Sequence, residues 1–278
     1  MKAEETYFVT HAIEALQEFG GKAIEHETAV FCQTLSTLLR NSQKFRIPDY
    51  GKVLNVGDKT IGDLLTDYCT PFRLPYPIVA LEYRHPECAP GGLEKFDANV
   101  VLATESVVDG ELVISVYVVY RMVKNGLKKW IPCNFSAHCN GSVFSVVPTT
   151  DEGRKIEKIY GANSSVAVSD IQNELGAVIS LCAALSCKNV SHFDSEAPEK
   201  LNKKRVHSGK VPFFSYKILD IHQGHSENKK LGGTHASPRC HLRRGHIRRL
   251  ENKNVWVNAS VVGNKKLGYV SKDYRMAE

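Results

Sequence analysis

No apolar stretch in this chain reaches the length of a membrane span. The longest, Leu175 to Cys187, covers thirteen residues, where a helix crossing a bilayer needs about 20. The opening MKAEETYFVTHAIEALQEFGG is acidic and amphipathic, without the basic n-region and apolar h-region of a secretory signal. The eight cysteines contain no CxxC pair. Without a secretory signal they read as reduced and mostly buried thiols rather than a disulfide framework, and the Asn-x-Ser sequons carry no weight. These absences lead to the expectation of a cytoplasmic protein with no membrane partner.

Carboxylates are also scarce toward the end of the chain. Residues 200–278 hold 18 Lys plus Arg against 5 Asp plus Glu, a balance of +13, while residues 1–199 carry −7, within an overall charge of +6. A two-metal nuclease relies on clustered acidic ligands, so that class is disfavoured for this region. Charge divided in this way suggests a basic segment facing a polyanion. A solvated Lys/Arg surface is the plainer alternative, but Arg dominates the central block, and its planar fork suits bidentate phosphate contacts.

What is present elsewhere reads as an α+β scaffold. Phe8, Ala12, Ala15, Leu16 and Phe19 recur at helical spacing, Gly20-Gly21 breaks the pattern, and Ala23 to Leu39 resumes it with Val30, Leu35, Leu38 and Leu39 on one side. A short helix is expected over Ile61 to Cys69 and a short strand over Ile78 to Tyr83. Glu82 inside that strand reads either as a partly buried, chemically active carboxylate or, in preference, as an exposed or salt-bridged one. Asp109-Gly110, Asn125-Gly126 and Asn140-Gly141 are hairpin turn signals. They predict an antiparallel meander of four strands: Asn99 to Val108, Glu111 to Lys124, Leu127 to Ala137 and Ser142 to Val147. Both faces of the second strand are apolar, which predicts cover on both sides, with helices on at least one. Thr150 and Asp151 open a helix to Tyr160, and Ser169 caps a long one to about Cys187 that is apolar nearly all round and hence buried. Asp194 to Pro212, with KLNKKR inside it, reads as a charged linker or a basic arm. Phe213 to Ile221 reads as a strand.

The chemistry is concentrated in THASPRCHLRRGHIRRL, where three readings compete. In the first, Arg239, Arg243, Arg244, Arg248 and Arg249 hold phosphate, aided by Lys203, Lys204 and Arg205, with Trp256 and Tyr269 available for base stacking. In the second, His235, His241 and His246 act as acid and base in metal-independent phosphodiester cleavage. The third is zinc held by His222, His225, His235, Cys240, His241 and His246. Their spacing fits no standard finger and five arginines would repel a dication, so no metal and no cofactor is expected. A structural role also stands, in which Arg and His fix a loop through buried hydrogen bonds and ion pairs. Trp256, in VWVNASVV, reads as core before stacking platform.

SPRCHLRRGHIRRL, VWVNASVVG and GYVSKDY resemble the C-terminal block of uncharacterised bacteriophage and prophage proteins that share a Pro-Arg-x-His-x-Arg-Arg-Gly-His signature. The resemblance covers the last third of the chain. It implies a phage context, hence a host-cell cytoplasm, and carries over no activity or catalytic residue.

Together these readings give an α+β protein with N-terminal helices, a central antiparallel β-meander, a buried long helix and a basic C-terminal β element. The expected division is an acidic scaffold over 1–199 and an Arg/His-rich region over 200–278, with the two able to pack as one domain. The expected function is nucleic-acid binding, RNA favoured, or binding of another polyanion. The alternative is a non-enzymatic interaction protein docking on an acidic host or defence protein to inhibit it. A metal-independent ribonuclease stands third.

Overall fold

A computed structural model of the 278-residue chain describes residues 6–22, 26–53, 61–68, 72–85, 95–141, 143–161, 164–169, 171–221, 239–243, 246–251, 253–257, 260–262 and 264–269. The described residues bear out the α+β class. They divide into two compact units, one formed by Met1–Ala183 and His192–Leu219, the other by Ala184–Ser191 and Asp220–Glu278.

In the first unit, α1 (Phe8–Lys22) and α2 (His26–Asn41) bury Phe8, Ala12, Ile13, Leu16, Cys32, Leu35 and Leu39; of the expected α2 stripe Leu35 and Leu39 are buried, whereas Val30 is 45% exposed and Cys32 takes a core position instead. The expected break at Gly20-Gly21 is absent, because α1 runs through both glycines to Lys22. A Cβ at Gly20 would lie 3.1 Å from Cys32 Cβ, so the missing side chain serves close packing of α2 rather than a turn.

A mixed sheet follows from β1 (Gln43–Arg46), β2 (Ile78–Arg84), β3 (Lys95–Val108), β4 (Glu111–Lys124), β5 (Leu127–Pro132), β6 (Phe135–Asn140), β7 (Val143–Pro148), β8 (Val190–Ser195) and β9 (Tyr216–Ile221). Its order is β7-β6-β4-β3-β2-β1-β9-β8, with β5 also paired to β4. The expected meander is β3 to β7; β2 extends the antiparallel pairing at β3, and β1 adds parallel pairing with both β2 and β9. Asp109-Gly110 and Asn125-Gly126 take the positive φ pairs of hairpin turns, whereas at the third turn Gly141 alone does so.

One expected strand, Leu127 to Ala137, is in fact two. Pro132 has no N–H to continue the ladder, and the chain bulges at Cys133-Asn134 before β6 pairs again with the same edge of β4. The bulge is used: the Asn134 carbonyl accepts from Thr149 N at 2.8 Å, and Asn134 Oδ1 accepts from Thr150 Oγ1 at 2.7 Å. Thr150 is then the N-cap of α4 (Asp151–Tyr160), accepting from Gly153 N at 3.2 Å.

The sheet is buried on both faces, as the apolar alternation of β4 predicts. Val100, Leu102 and Val119 pack into the core that contains α1 and α2. Asn99, Val101, Val116 and Val118 point the other way, where Asn99 reaches Glu174 on α6 (Gln172–Leu185). Helix α6 is apolar nearly all round, with Leu175, Ala177, Val178, Ile179, Leu181 and Ala183 all buried. The remaining helices of this unit are α3 (Ile61–Tyr68), α5 (Ser165–Ser169) and α7 (Glu199–His207). The last corrects the linker reading of Asp194 to Pro212: β8 covers its start, and Glu199 to His207 is helical, capped through Ser208 N to the carbonyls of Lys204 and Arg205.

The second unit contains β10 (Arg239–Arg243), β11 (His246–Leu250), β12 (Lys253–Val257), β13 (Ser260–Val262) and β14 (Asn264–Tyr269). Strands β11 and β12 form an antiparallel hairpin, and β10 lies between β13 and β14. Among the described residues no helix is long and apolar enough to cross a membrane.

Candidate functional site

Part of the basic block, His246 to Arg249, is carried by the hairpin β11–β12, which HIRRL and KNVWV build by pairing Leu250 with Lys253, Arg248 with Val255 and Ile247 with Trp256. Alternation along a strand sends neighbouring residues to opposite faces, so Arg248 and Lys253 share one face and Arg249 takes the other. Arg248, Arg249 and Lys253 are all exposed. The other strand is held by a side chain from far upstream. Asn189 Oδ1 accepts from Trp256 N at 2.6 Å, while Asn189 Nδ2 donates to Trp256 O at 2.7 Å. Lys188 N adds a bond to Asn254 O at 3.1 Å. One carboxamide thus occupies both backbone groups of Trp256 as a neighbouring strand would. Trp256 is half-buried here, closer to the core reading than to an open stacking platform.

The other sequence-expected residues fall in several places. Arg239, His241 and Arg243 lie on β10, and His246 on β11 beside Arg248 and Arg249. Strands β10 and β11 belong to different sheets. His235 and Arg244 lie outside the described residues, as do His222 and His225. Lys203, Lys204 and Arg205 sit on α7 in the first unit. Lys203 pairs with Glu199 at 2.7 Å on the surface, and Lys204 is exposed. Arg205 turns inward. Its guanidinium meets Glu14 at 2.5 Å, donates from Nε to Val211 O at 2.7 Å and lies 4.3 Å over the Phe213 ring. That engagement ties α7 to α1, the structural use of arginine by which ion pairs fix a loop.

The first unit holds two polar clusters, of which the sequence pointed to one through Glu82. The first answers the question of Glu82, which is 1% exposed. Its Oε1 accepts from Arg46 Nε at 2.8 Å, and its Oε2 accepts from Val9 N at 3.2 Å, in the first turn of α1. Val9 N–H is one of the donors a helix start leaves without an intrahelical partner, and a carboxylate there also suits the positive end of the helix. The Arg46 guanidinium rests 4.6 Å over Tyr216, whose hydroxyl is held protonated by burial and by the Glu82 charge. Glu82 is therefore salt-bridged, as the preferred reading held, and buried rather than surface-facing.

The second cluster surrounds Glu174. Asn99, 1% exposed in the middle of β3, donates from Nδ2 to Glu174 Oε1 at 2.7 Å and to Tyr83 Oη at 3.3 Å. Its Oδ1 is buried and has no hydrogen-bond partner among the described residues. An unpaired buried acceptor costs about 1–3 kcal/mol. Burial, then the nearby Glu174 charge, push the hydroxyls of Tyr83 and Tyr120 far up, so both remain protonated. The His85 ring meets Tyr50 edge-on and lies tilted against Tyr83, and burial pulls its pKa down against the pull of Asp49 and Asp97. Asn99, Tyr120, His85, Phe96 and Glu174 line one pocket of about 310 Å³. The available signal was an asparagine inside the apolar run of β3, since Asn is depleted in strands, and a glutamate on an otherwise apolar helix.

No protein-family model matches the chain, and comparison with curated proteins gives no match.

Proposed function

We propose that the chain binds nucleic acid, RNA in the first place, or another polyanion, through the hairpin β11–β12 and the Arg/His-rich strand β10. In the same reading it is a phage-type protein working in the cytoplasm of a host cell, as the resemblance of its last third implies. The observation that carries the reading is the pair Arg248 and Arg249. They are adjacent, exposed and on opposite faces of a strand whose partner is braced by Asn189, so two guanidinium forks stand on a fixed backbone. A +13 balance over residues 200–278 supplies the long-range attraction. Phosphate contacts of this kind release counterions, and their affinity falls steeply with salt.

The test is fluorescence anisotropy with single-stranded RNA and duplex DNA over a salt series. Binding should weaken about tenfold or more between about 50 and about 200 mM salt, and Arg248→Ala with Arg249→Ala should lower the slope of log K against log salt by about 1–2. Affinity that is independent of salt, or unchanged in the double variant, overturns the reading. A protein retained from nuclease-treated bacterial lysate by the wild type and lost by the double variant would favour the interaction-protein alternative. RNA cleavage that persists in EDTA and disappears in His241→Ala and His246→Ala would make the site a ribonuclease.

A further inference from the structure

Another cavity of the first unit, of about 730 Å³, opens between α1, the start of α2, β5 and the first residue of α4. That size lies within the ~300–1,000 Å³ typical of small-molecule sites. Its wall is apolar, with Ala15 and Phe19 supplied by α1 and Leu127 and Trp130 by β5. Trp130 is 8% exposed and packs on Phe8, ring centroids 5.6 Å apart, which fixes that end of the wall. Leu127 is 76% exposed, so the other end meets solvent.

Three lysines and two carboxylates complete the lining, and their pairing decides its sign. Glu18 is taken by Lys22 at 2.5 Å, Asp151 by Arg154, and Lys128 lies 3.8 Å from Asp97. Among the charges acting on Glu18, that of Lys22 is the strongest and that of Lys129 the weakest. Lys129 itself has no ion pair among the described residues, and its Nζ stands 6.0 Å over the Phe19 ring, beside the apolar wall. A small organic cation is repelled by Lys129, and inorganic phosphate leaves the apolar wall uncovered. A neutral apolar ligand strips water from Lys129 without supplying an acceptor. One anionic end on an apolar body meets both demands.

We propose that this cavity binds a free organic carboxylate with an apolar body, its carboxylate accepting from Lys129 Nζ and its hydrocarbon lying against Phe19, Leu127 and Trp130. The site uses no residue of the basic block, so it stands independently of the nucleic-acid reading.

Isothermal titration calorimetry of the full chain with octanoate tests this, against octanamide, which keeps the chain and loses the charge, and acetate, which keeps the charge and loses the chain. Octanoate should bind saturably at one site, with octanamide and acetate weaker by about fivefold or more, the upper range for an exposed charge pair. Lys129→Met keeps the apolar stem and should bring octanoate down to the affinity of octanamide. Leu127→Ser should weaken both several-fold. Both side chains are exposed, so neither change threatens the fold. The Trp130 indole N–H resonance should shift during the titration. Absence of saturable octanoate binding, equal binding of octanamide, or wild-type octanoate affinity in Lys129→Met overturns the proposal. Octanoate binding that shifts the Arg248 and Arg249 amides and leaves Trp130 unmoved also overturns it, by assigning the carboxylate to the basic hairpin.

Discussion

Glu82 and Arg46 face each other as register partners on the parallel strands β1 and β2, with Arg46 Nη2 2.7 Å from Glu82 Oε1. The pair is unequal, because the Arg46 side chain is 32% exposed and that of Glu82 only 2%. Water shares the solvation of the cation, while the carboxylate depends on protein donors.

Removing the carboxylate is therefore expected to cost more than removing a surface ion pair. Glu82→Ala leaves Arg46 and the Val9 N–H without their acceptor, at a cost of about 3 kcal/mol or more. Glu82→Gln keeps the shape and loses the charge, at about 1–3 kcal/mol. Urea unfolding measures both, and a Glu82→Ala loss below about 0.5 kcal/mol would show that the pair is no anchor.

Gly153 should be irreplaceable for a steric reason, although it sits inside a helix. A Cβ there would lie 2.3 Å from the Asn134 carbonyl oxygen, a backbone atom pinned by Thr149 N. Gly153→Ala, ordinarily stabilising in a helix by about 1 kcal/mol, should instead destabilise by about 1–3 kcal/mol. Thr150→Val, which removes the cap from the same helix, should cost about 1 kcal/mol. Thermal unfolding of the two variants separates them: a Gly153→Ala protein with raised Tm contradicts the packing.

Local rules reached much of this fold. Asp109-Gly110 and Asn125-Gly126 are short-range turn signals, and the turns form where they stand. The apolar stripes of α1 and α2 were equally readable. Gly20 and the KLNKKR segment were misread because their meaning is tertiary. Gly20 answers to Cys32 on another helix, and α7 is held by contacts from Arg205 to Glu14 and Phe213, far away in sequence. Of the candidate site, Arg248 and Arg249 stand exposed on β11. The Glu174–Asn99 bond joins residues 75 positions apart and left only a faint mark, a polar residue in each of two apolar runs.

Lys44 gives the alkaline limb a signature. Burial pulls its pKa from 10.5 to about 8, although its Nζ donates to Ser42 O at 2.8 Å and Arg40 O at 3.1 Å. Between those values the unfolded chain holds the extra proton, so stability rises with pH there. Comparing wild type with Lys44→Met by urea unfolding from pH 7 to 9.5, the wild type should gain on the variant by roughly 1–3 kcal/mol. A difference that stays flat over this range means Lys44 keeps its ordinary ionisation.

The acid limb involves His138 and His85. His138 hydrogen-bonds through Nδ1 to Ser115 Oγ at 3.1 Å and through Nε2 to Ser136 Oγ at 3.0 Å, and burial lowers its pKa below the ordinary 6.5. For a histidine with a lowered folded pKa, the unfolded chain takes up the proton first as pH falls. Its stabilisation is intact above 6.5 and is lost on acidification below 6.5 toward the folded value. His138→Gln, followed by calorimetry from pH 7.5 to pH 5, should show a smaller decline in Tm than the wild type. An identical decline would place the acid sensitivity elsewhere.

The hold of Asn189 on Trp256 reaches across 67 residues, and it sets how the chain can be cut. Strand β12 borrows its outer hydrogen-bonding neighbour from the turn after α6, so the hairpin is not encoded by residues 200–278 alone. A fragment beginning at Lys200 would carry every arginine of the basic block yet lack the amide that occupies both backbone groups of Trp256. Binding lost in such a fragment would report a missing brace, while a chain retaining Ala184–Ser191 keeps the hairpin's frame complete.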